Sequence, residues 1–453
     1  MKKITGKWKL FLYGMAGLGV NMLGLIVGSY LCDALMVEGF GENVENWTYL
    51  NKTLVVAGIW SVMIAISKVL DGVIDIPFAG WTDKLKSRWG KRRPAILIGF
   101  VPMLIAYALF LVPLENEKSV LNTFWFGLML CAFYACYTLT MVAYYATFSE
   151  IVDNDHDRML LSNFKTTFDV VYFVLGYALI PAFIGMMNIR VIALIFLPLA
   201  FTMLIPLFMI KEKSTLDKDR TEDDEEDQEQ EEKHVGIWES LLYTFKNKQF
   251  IVWLCVYAAL QFAVQLFLTG QNVLYSGLLE FEGIQITLVM ACAFAPVPFT
   301  LMLYNHIVKK NGIRMGYIWS LSAYMLAMLV LALCVFIPNG PARLIVACLG
   351  GVFSAFGTGC FFSINYVIPS TMAVMEQKEN GISHPAMYFA VQGLASGIAT
   401  AISTGLVWVN LKNADVIYLA PYIVIVGGFV SLFLTTFLDK KICDIGKSTS
   451  EEE

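Results

Sequence analysis

Lys68, Asp71 and Asp75 fall within KVLDGVIDIPFAGW, a stretch that otherwise reads as a membrane helix. On a helix the spacing i, i+3 and i+7 sets all three side chains on one face, with the two carboxylates four residues apart. A carboxylate in a spanning helix costs at least roughly 2.5 to 3.5 kcal/mol at mid-membrane, so such groups usually face a water-filled interior or bind a cation. Adjacent aspartates also repel, and Lys68, a bound metal cation or a proton on one of them relieves that repulsion. This is the chemistry of a switchable cation site. The bland alternative is an ion network that packs helices and has no part in transport.

A second group follows in Asp83 and the turn Gly90, Lys91, Arg92, Arg93 and Pro94. Asp83 paired with one of these cations would latch one conformation of the cytoplasmic side. The same residues also serve as a positive-inside anchor, and both roles can hold. Lys165 and Asp169 are placed to neutralise each other at i, i+4. Amides at Gln261, Gln265, Gln271, Asn272, Asn365 and Gln392 are polar candidates within apolar runs, where helix packing is their ordinary role. Nine cysteines without a CxxC pair read as small buried hydrophobes. Four isolated histidines give no support to a zinc site or a Ser/His/Asp triad, so no enzyme, cofactor or nucleic-acid partner is expected.

The elements that must position these groups are long apolar helices. The chain has 453 residues, 57% of them hydrophobic and 15% charged, with a mean hydropathy of +0.64. That composition belongs to a polytopic membrane protein. A hydrocarbon core about 30 Å thick needs roughly 20 helical residues. Twelve such runs are expected: Leu10 to Val37, Thr53 to Trp81, Ala95 to Leu114, Thr123 to Phe148, Thr166 to Met187, Val191 to Ile210, Phe250 to Gly277, Ile286 to Val308, Tyr317 to Ile337, Ala342 to Ile368, Pro385 to Val409 and Val416 to Leu438. They divide into an N-terminal six-helix bundle (1–210), an acidic connector (211–249), a C-terminal six-helix bundle (250–438) and a tail (439–453), the layout of a parallel-repeat transporter. The net charge of -5 is dominated by EDDEEDQEQEE from Glu222 to Glu232, which reads as a solvated linker. GIWESLLYTFKNKQ after it reads as a short interfacial helix.

Orientation follows from the basic residues. Lys84, Lys86, Arg88, Lys91, Arg92 and Arg93 follow the second run, and Lys309, Lys310 and Arg314 follow the eighth, so these loops are expected in the cytoplasm. Glu38, Glu42 and Glu45 mark the first loop as outward. Both termini and the connector then fall on the cytoplasmic side of a cell membrane. The run from Leu10 is far longer than the apolar part of a signal peptide and is expected to remain as a span. Two sequons at Asn46 and Asn51 carry no weight.

The segment from Lys68 to Pro94 resembles the signature of the glycoside-pentoside-hexuronide:cation symporter family, the melibiose-permease-like branch of the major facilitator superfamily. YGMAGLGVN, from Tyr13 to Asn21, is similar to that family's opening glycine element. The resemblance implies a twelve-helix major facilitator fold and cation-coupled symport of a glycoside, pentoside or hexuronide by alternating access. It implies a cation site at Asp71, Asp75 and Thr138, with Lys68 as charge partner. Ile74 stands where the melibiose-permease pattern has an Asn, which removes an oxygen ligand and favours H+ over Na+. The positions matching the family's sugar ligands are Asn21, Met141, Lys165 and Tyr145, so neither acidic sugar ligand is kept. Asn21 can still hydrogen-bond a solute, Tyr145 can stack on a sugar face, and Lys165 with Arg158 can attract an anionic one. Asp169 and Gln392 complete the expected solute-binding candidates. The family's lysine on the eleventh helix has no counterpart in VQGLASGIATA. An amphiphilic or lipid-like solute is the alternative reading. The partners expected are solute, coupling cation and bilayer, for a monomer.

Overall fold

The computed structural model describes residues 3–4, 6–36, 53–83, 85–152, 155–184, 186–216, 244–380 and 385–444. The acidic run, most of the expected interfacial helix, the first loop with its glutamates and sequons, Lys84 and the end of the tail lie outside the described residues. So do the side chains of Asp83, Arg158 and Asn365.

Twelve helices are long and apolar enough to cross a membrane among the described residues. In chain order the first six are α1 (Lys7–Ala34), α2 (Ala57–Asp83), α3 (Arg92–Phe110), α4 (Val120–Ile151), α5 (Asp155–Val174, continued by Leu175–Leu179 and Ile180–Ile184) and α6 (Ile189–Met209). The second six are α7 (Lys248–Leu278), α8 (Gly283–Asn311), α9 (Ile313–Cys334), α10 (Pro341–Asn380), α11 (Pro385–Thr400, continued by Ala401–Trp408 and Val409–Asn413) and α12 (Ile417–Phe437). Several starts are set by polar caps that interrupt the apolar pattern. Ser119, Asn188 and Asn247 accept hydrogen bonds from the backbone N–H of Asn122, Arg190 and Phe250, at 3.0, 2.9 and 3.1 Å. Gly312, with φ of 86°, makes the reversal between α8 and α9 that a side chain would disfavour.

Two helices outrun their apolar segments. α5 begins at Asp155, ahead of the expected Thr166, and α10 continues to Asn380, past the expected Ile368. Hydropathy reports the length soluble in oil, whereas the backbone ladder continues into polar residues beyond it.

In a bilayer the usual inside-out reading of hydrophobicity is relaxed. Phe208, Phe336 and Ile284 are 79%, 78% and 74% exposed, as lipid-facing side chains are, while Trp60, Trp253 and Trp408 are fully buried between helices. Close backbone approach explains part of the glycine element on α1. A Cβ on Gly19 would stand 1.8 Å from the Leu199 carbonyl oxygen of α6. Thr202 reinforces the same crossing by donating to the Ala16 carbonyl at 2.9 Å. Gly19→Val is expected to overpack this crossing at a cost of about 1–3 kcal/mol or more. Size-exclusion yield of detergent-solubilised protein checks it; a native yield and profile would contradict the packing described.

Among the described residues four π-helical segments occur, Val27–Leu31 in α1, Leu175–Leu179 in α5, Leu274–Leu278 in α7 and Ala401–Trp408 in α11. Each lies in the part of its helix nearer the α1–α2 connection. Such turns favour functional sites because they re-aim side chains and loosen the regular ladder. Hydropathy gives no hint of them.

Candidate functional site

Helices of α1–α6 and α7–α12 enclose a cavity of about 240 Å³ that runs along α1 from Asn21 to Asp33. Its wall draws on α1, α2, α4, α5, α7 and α11. Tyr134, Tyr137, Tyr172, Phe173, Tyr177 and Trp408 supply most of its aromatic surface, and Lys68, Asp71 and Asp33 its charge.

α2 carries the stripe of Lys68, Asp71 and Asp75 along the boundary between α4 and α11. On the α4 side, the Thr138 hydroxyl donates to Asp71 Oδ1. Lys68 Nζ stands 3.6 Å from the centre of the Tyr134 ring, a cation–π contact. No ion pair within 4.0 Å joins Lys68 to Asp71 or Asp75 among the described residues. Lys68 is therefore a neighbouring charge held by an aromatic face, rather than a direct salt-bridge partner.

On the α11 side the helices touch through glycine. A Cβ on Gly397 would meet the Lys68 carbonyl oxygen at 2.8 Å, and one on Gly72 would meet the Gly393 carbonyl oxygen at 3.1 Å. Asp75 Oδ2 is 3.4 Å from where a Gly393 Cβ would sit, and Ser61 donates to the Gly405 carbonyl at 2.6 Å. Small residues allow this approach where lipid supplies no hydrophobic drive for association. The stripe is thereby in contact with the other half of the molecule. Lys68 and Asp71 line the cavity, whereas Asp75 does not.

Four of the five expected solute ligands come together. Lys165 pairs with Asp169, Asn21 Nδ2 donates to Asp169 Oδ1 at 3.3 Å, and Tyr137 donates to Asn21 Oδ1 at 2.9 Å. Lys165 Nζ also lies 5.1 Å from the centre of the Tyr145 ring. Asn21 and Tyr137 line the cavity and connect it to this network. Gln392 is elsewhere: it is buried, accepts from Trp253 Nε1 at 2.8 Å and does not line the cavity.

The basic turn is held by α2 and by the first residues of the connector. The Arg92 N–H, at the N-terminus of α3, donates to Glu212 at 2.9 Å, and Arg92 Nη1 reaches Thr82 Oγ1 at 3.5 Å. A carboxylate at a helix N-terminus is favoured by the helix dipole. Arg93 lies 6.0 Å from the Trp89 ring. Thr215 accepts from the Ser87 N–H at 2.8 Å, so the first connector residues fold beneath the turn. Lys91 is half-buried nearby. The Asp83 side chain lies outside the described residues.

Sequence reading passed over Asp33, Trp408 and Lys412, which meet where α1 and α11 end. Lys412 Nζ lies 3.1 Å from Asp33 Oδ1 and 2.8 Å from the Asp33 carbonyl oxygen, and Trp408 Nε1 donates to Oδ1 at 2.9 Å. The side chains of Lys412 and Asp33 are 1% and 7% exposed. Although VQGLASGIATA contains no lysine, α11 thus carries a buried cation further along. An acidic residue inside the apolar run SYLCDALM was the signal available. On α7, Gln265 lines the cavity, whereas no amide atom of Gln271 or Asn272 has a hydrogen-bond partner among the described residues. All nine cysteines are free. No cluster of three His, Cys, Asp or Glu able to hold a metal occurs among the described residues.

A profile of the family described as MFS/sugar transport protein matches residues 12–422. An uncharacterised symporter of Synechocystis sp. is 28% identical over 113 residues, 24% of this chain and 21% of that protein. The lactose permease of Lactobacillus helveticus is 29% identical over 107 residues, 22% of this chain and 16% of that protein. These matches therefore span about a fifth of each relative. Among solved structures, a D-xylose-proton symporter superposes with a TM-score of 0.62 at 15% identity, covering 98% of this chain and 99% of the other. The nucleoside transporter NupG gives 0.59 at 13% identity, covering 95% and 97%. At such identities the likeness is one of fold, the major facilitator fold.

Proposed function

Because the chain belongs to the MFS/sugar transport family, we propose that it is a cation-coupled symporter of a sugar or sugar-like solute, working by alternating access. The observation that carries this reading is the position of Asp71, on the cavity wall and hydrogen-bonded by Thr138 on α4, on a helix whose Gly72 and Asp75 lie against α11. A cation held between Asp71 and Asp75, with Thr138 as a third oxygen, alters the charge of the cavity and the contact between halves together. Solute and cation then act on one conformational equilibrium, and each raises the affinity for the other.

The cavity supports a small polar solute. Its volume of about 240 Å³ is below the roughly 300–1,000 Å³ of pockets for drug-sized ligands. Tyrosines combine a ring face for sugar C–H groups with a hydroxyl for hydrogen bonding. These features favour a monosaccharide-sized solute over a lipid. Two carboxylates and a hydroxyl, without the Asn replaced by Ile74, favour H+ as the coupling ion. The bundles are assigned to 1–210 and 250–438, with both termini and the basic turn in the cytoplasm of a cell-membrane protein. In that orientation the Asp33–Lys412 pair, the Ser61–Gly405 bond and the Tyr177–Phe294 stack, 4.8 Å between ring centres, hold the outer side together.

The test is uptake by proteoliposomes holding purified protein, using a panel of neutral monosaccharides, methyl glycosides and uronates. Runs with and without Na+, with a proton-sensitive dye inside, identify the ion. Accumulation of at least one panel member above its external concentration, driven by an imposed ion gradient, is expected. If no member accumulates under either gradient, the reading is wrong.

A further inference from the structure

At the outer end of the cavity a buried carboxylate oxygen has no donor among the described residues. Asp33 lines the cavity and is 6% exposed. Its Oδ1 receives the Trp408 N–H and the Lys412 ammonium, while Oδ2 has no hydrogen-bond partner among the described residues. An ionised carboxylate offers about four lone-pair sites. Leaving one oxygen buried and unmet is costly, because burial removes the water that would otherwise donate to it. Lys412 fixes the carboxylate from the opposite half by binding both Oδ1 and the main-chain oxygen of Asp33. Trp408 lines the same cavity and puts an indole beside the acceptor. An unmet acceptor next to an aromatic surface is the pairing a sugar ring satisfies, donating a hydroxyl to one and laying C–H groups on the other.

Resting on the symport reading above, we propose that Asp33 and Trp408 form a solute-hydroxyl subsite at the outer end of the cavity, with Lys412 as its positioning residue. The subsite takes a neutral ring hydroxyl. A carboxylate on the solute would meet the Asp33 carboxylate there, with the Lys412 ammonium already engaged by Asp33, so the uncharged end of any uronide occupies this end.

The experiment compares native protein with Asp33→Asn in proteoliposomes, using D-glucose, D-galactose, D-xylose and D-glucuronate, and then monodeoxy derivatives of whichever sugar the native protein transports. In native protein, one deoxy position is expected to raise KM about tenfold or more, the scale of a hydrogen bond to a charged group. In Asp33→Asn that same analogue and its parent are expected to differ by less than about threefold, because the two losses share one interaction. A purely structural role for Asp33 would shift both KM values and leave their ratio unchanged. If Asp33→Asn fails to accumulate in the membrane, the double variant Asp33→Asn/Lys412→Met, which has no unpaired buried charge, takes its place. A deoxy penalty of equal size in native and variant protein overturns the subsite while leaving symport intact. If the native protein transports none of the four, the member of the wider panel that it does accumulate takes their place with its deoxy derivatives, and failure of the whole panel removes both.

Discussion

Asp71→Asn is expected to reduce gradient-driven solute accumulation by roughly ten- to hundredfold, the scale of losing interactions with a charged group, while solute still exchanges down its own gradient. The asparagine keeps the shape of the side chain and an acceptor for the Thr138 hydroxyl. It removes the negative charge that attracts a cation to the cavity wall. Asp75→Asn is expected to act differently, because Asp75 lies against Gly393 and off that wall. It weakens the dependence on the ion with less effect on solute affinity. Uptake and counterflow measured on the same proteoliposomes separate the two outcomes. Accumulation at the native level in both variants would show that these carboxylates do not couple transport.

The largest effect on stability is expected at the opposite end of the cavity. Lys412→Met leaves the Asp33 carboxylate buried between the halves with the Trp408 N–H as its remaining donor at Oδ1. Breaking a buried pair by removing one partner costs about 3–5 kcal/mol, because the other charge is stranded. Replacing both partners is much milder. The double variant Asp33→Asn/Lys412→Met should therefore recover most of the thermal stability lost in the single one, a strong departure from additivity. Intrinsic-fluorescence melting in detergent measures all three proteins. Additive losses, with the double variant less stable than either single one, would show that the two residues are energetically independent.

These two regions differ in how far they could be read from residues alone. Lys68, Asp71 and Asp75 announce themselves because their spacing matches a helical face within an apolar run. The link from Asp71 to Thr138, on another helix, came from resemblance and appears here as a hydrogen bond. Lys68 shows the limit of the same argument. Spacing puts it near the carboxylates, but the Tyr134 ring, on α4 and with no sequence relation to it, determines where its ammonium sits. The basic turn was read as a latch with Asp83, whose side chain lies outside the described residues; the bond from the Arg92 backbone N–H to Glu212, just past α6, had no local pattern to detect.

By itself, the sequence determined that this is a twelve-helix membrane protein and that α2 bears a charged stripe. Hydrophobic length and helical periodicity are local quantities, and the bilayer enforces them one segment at a time. Tertiary structure alone decided that the stripe meets glycines of α11, that Asp33 pairs with Lys412 across 379 positions of chain, and that Tyr134, Tyr137, Tyr172 and Tyr177 of α4 and α5 share one cavity wall. Those outcomes depend on which helix faces which, and on π turns that rotate the faces, so no single segment contains them.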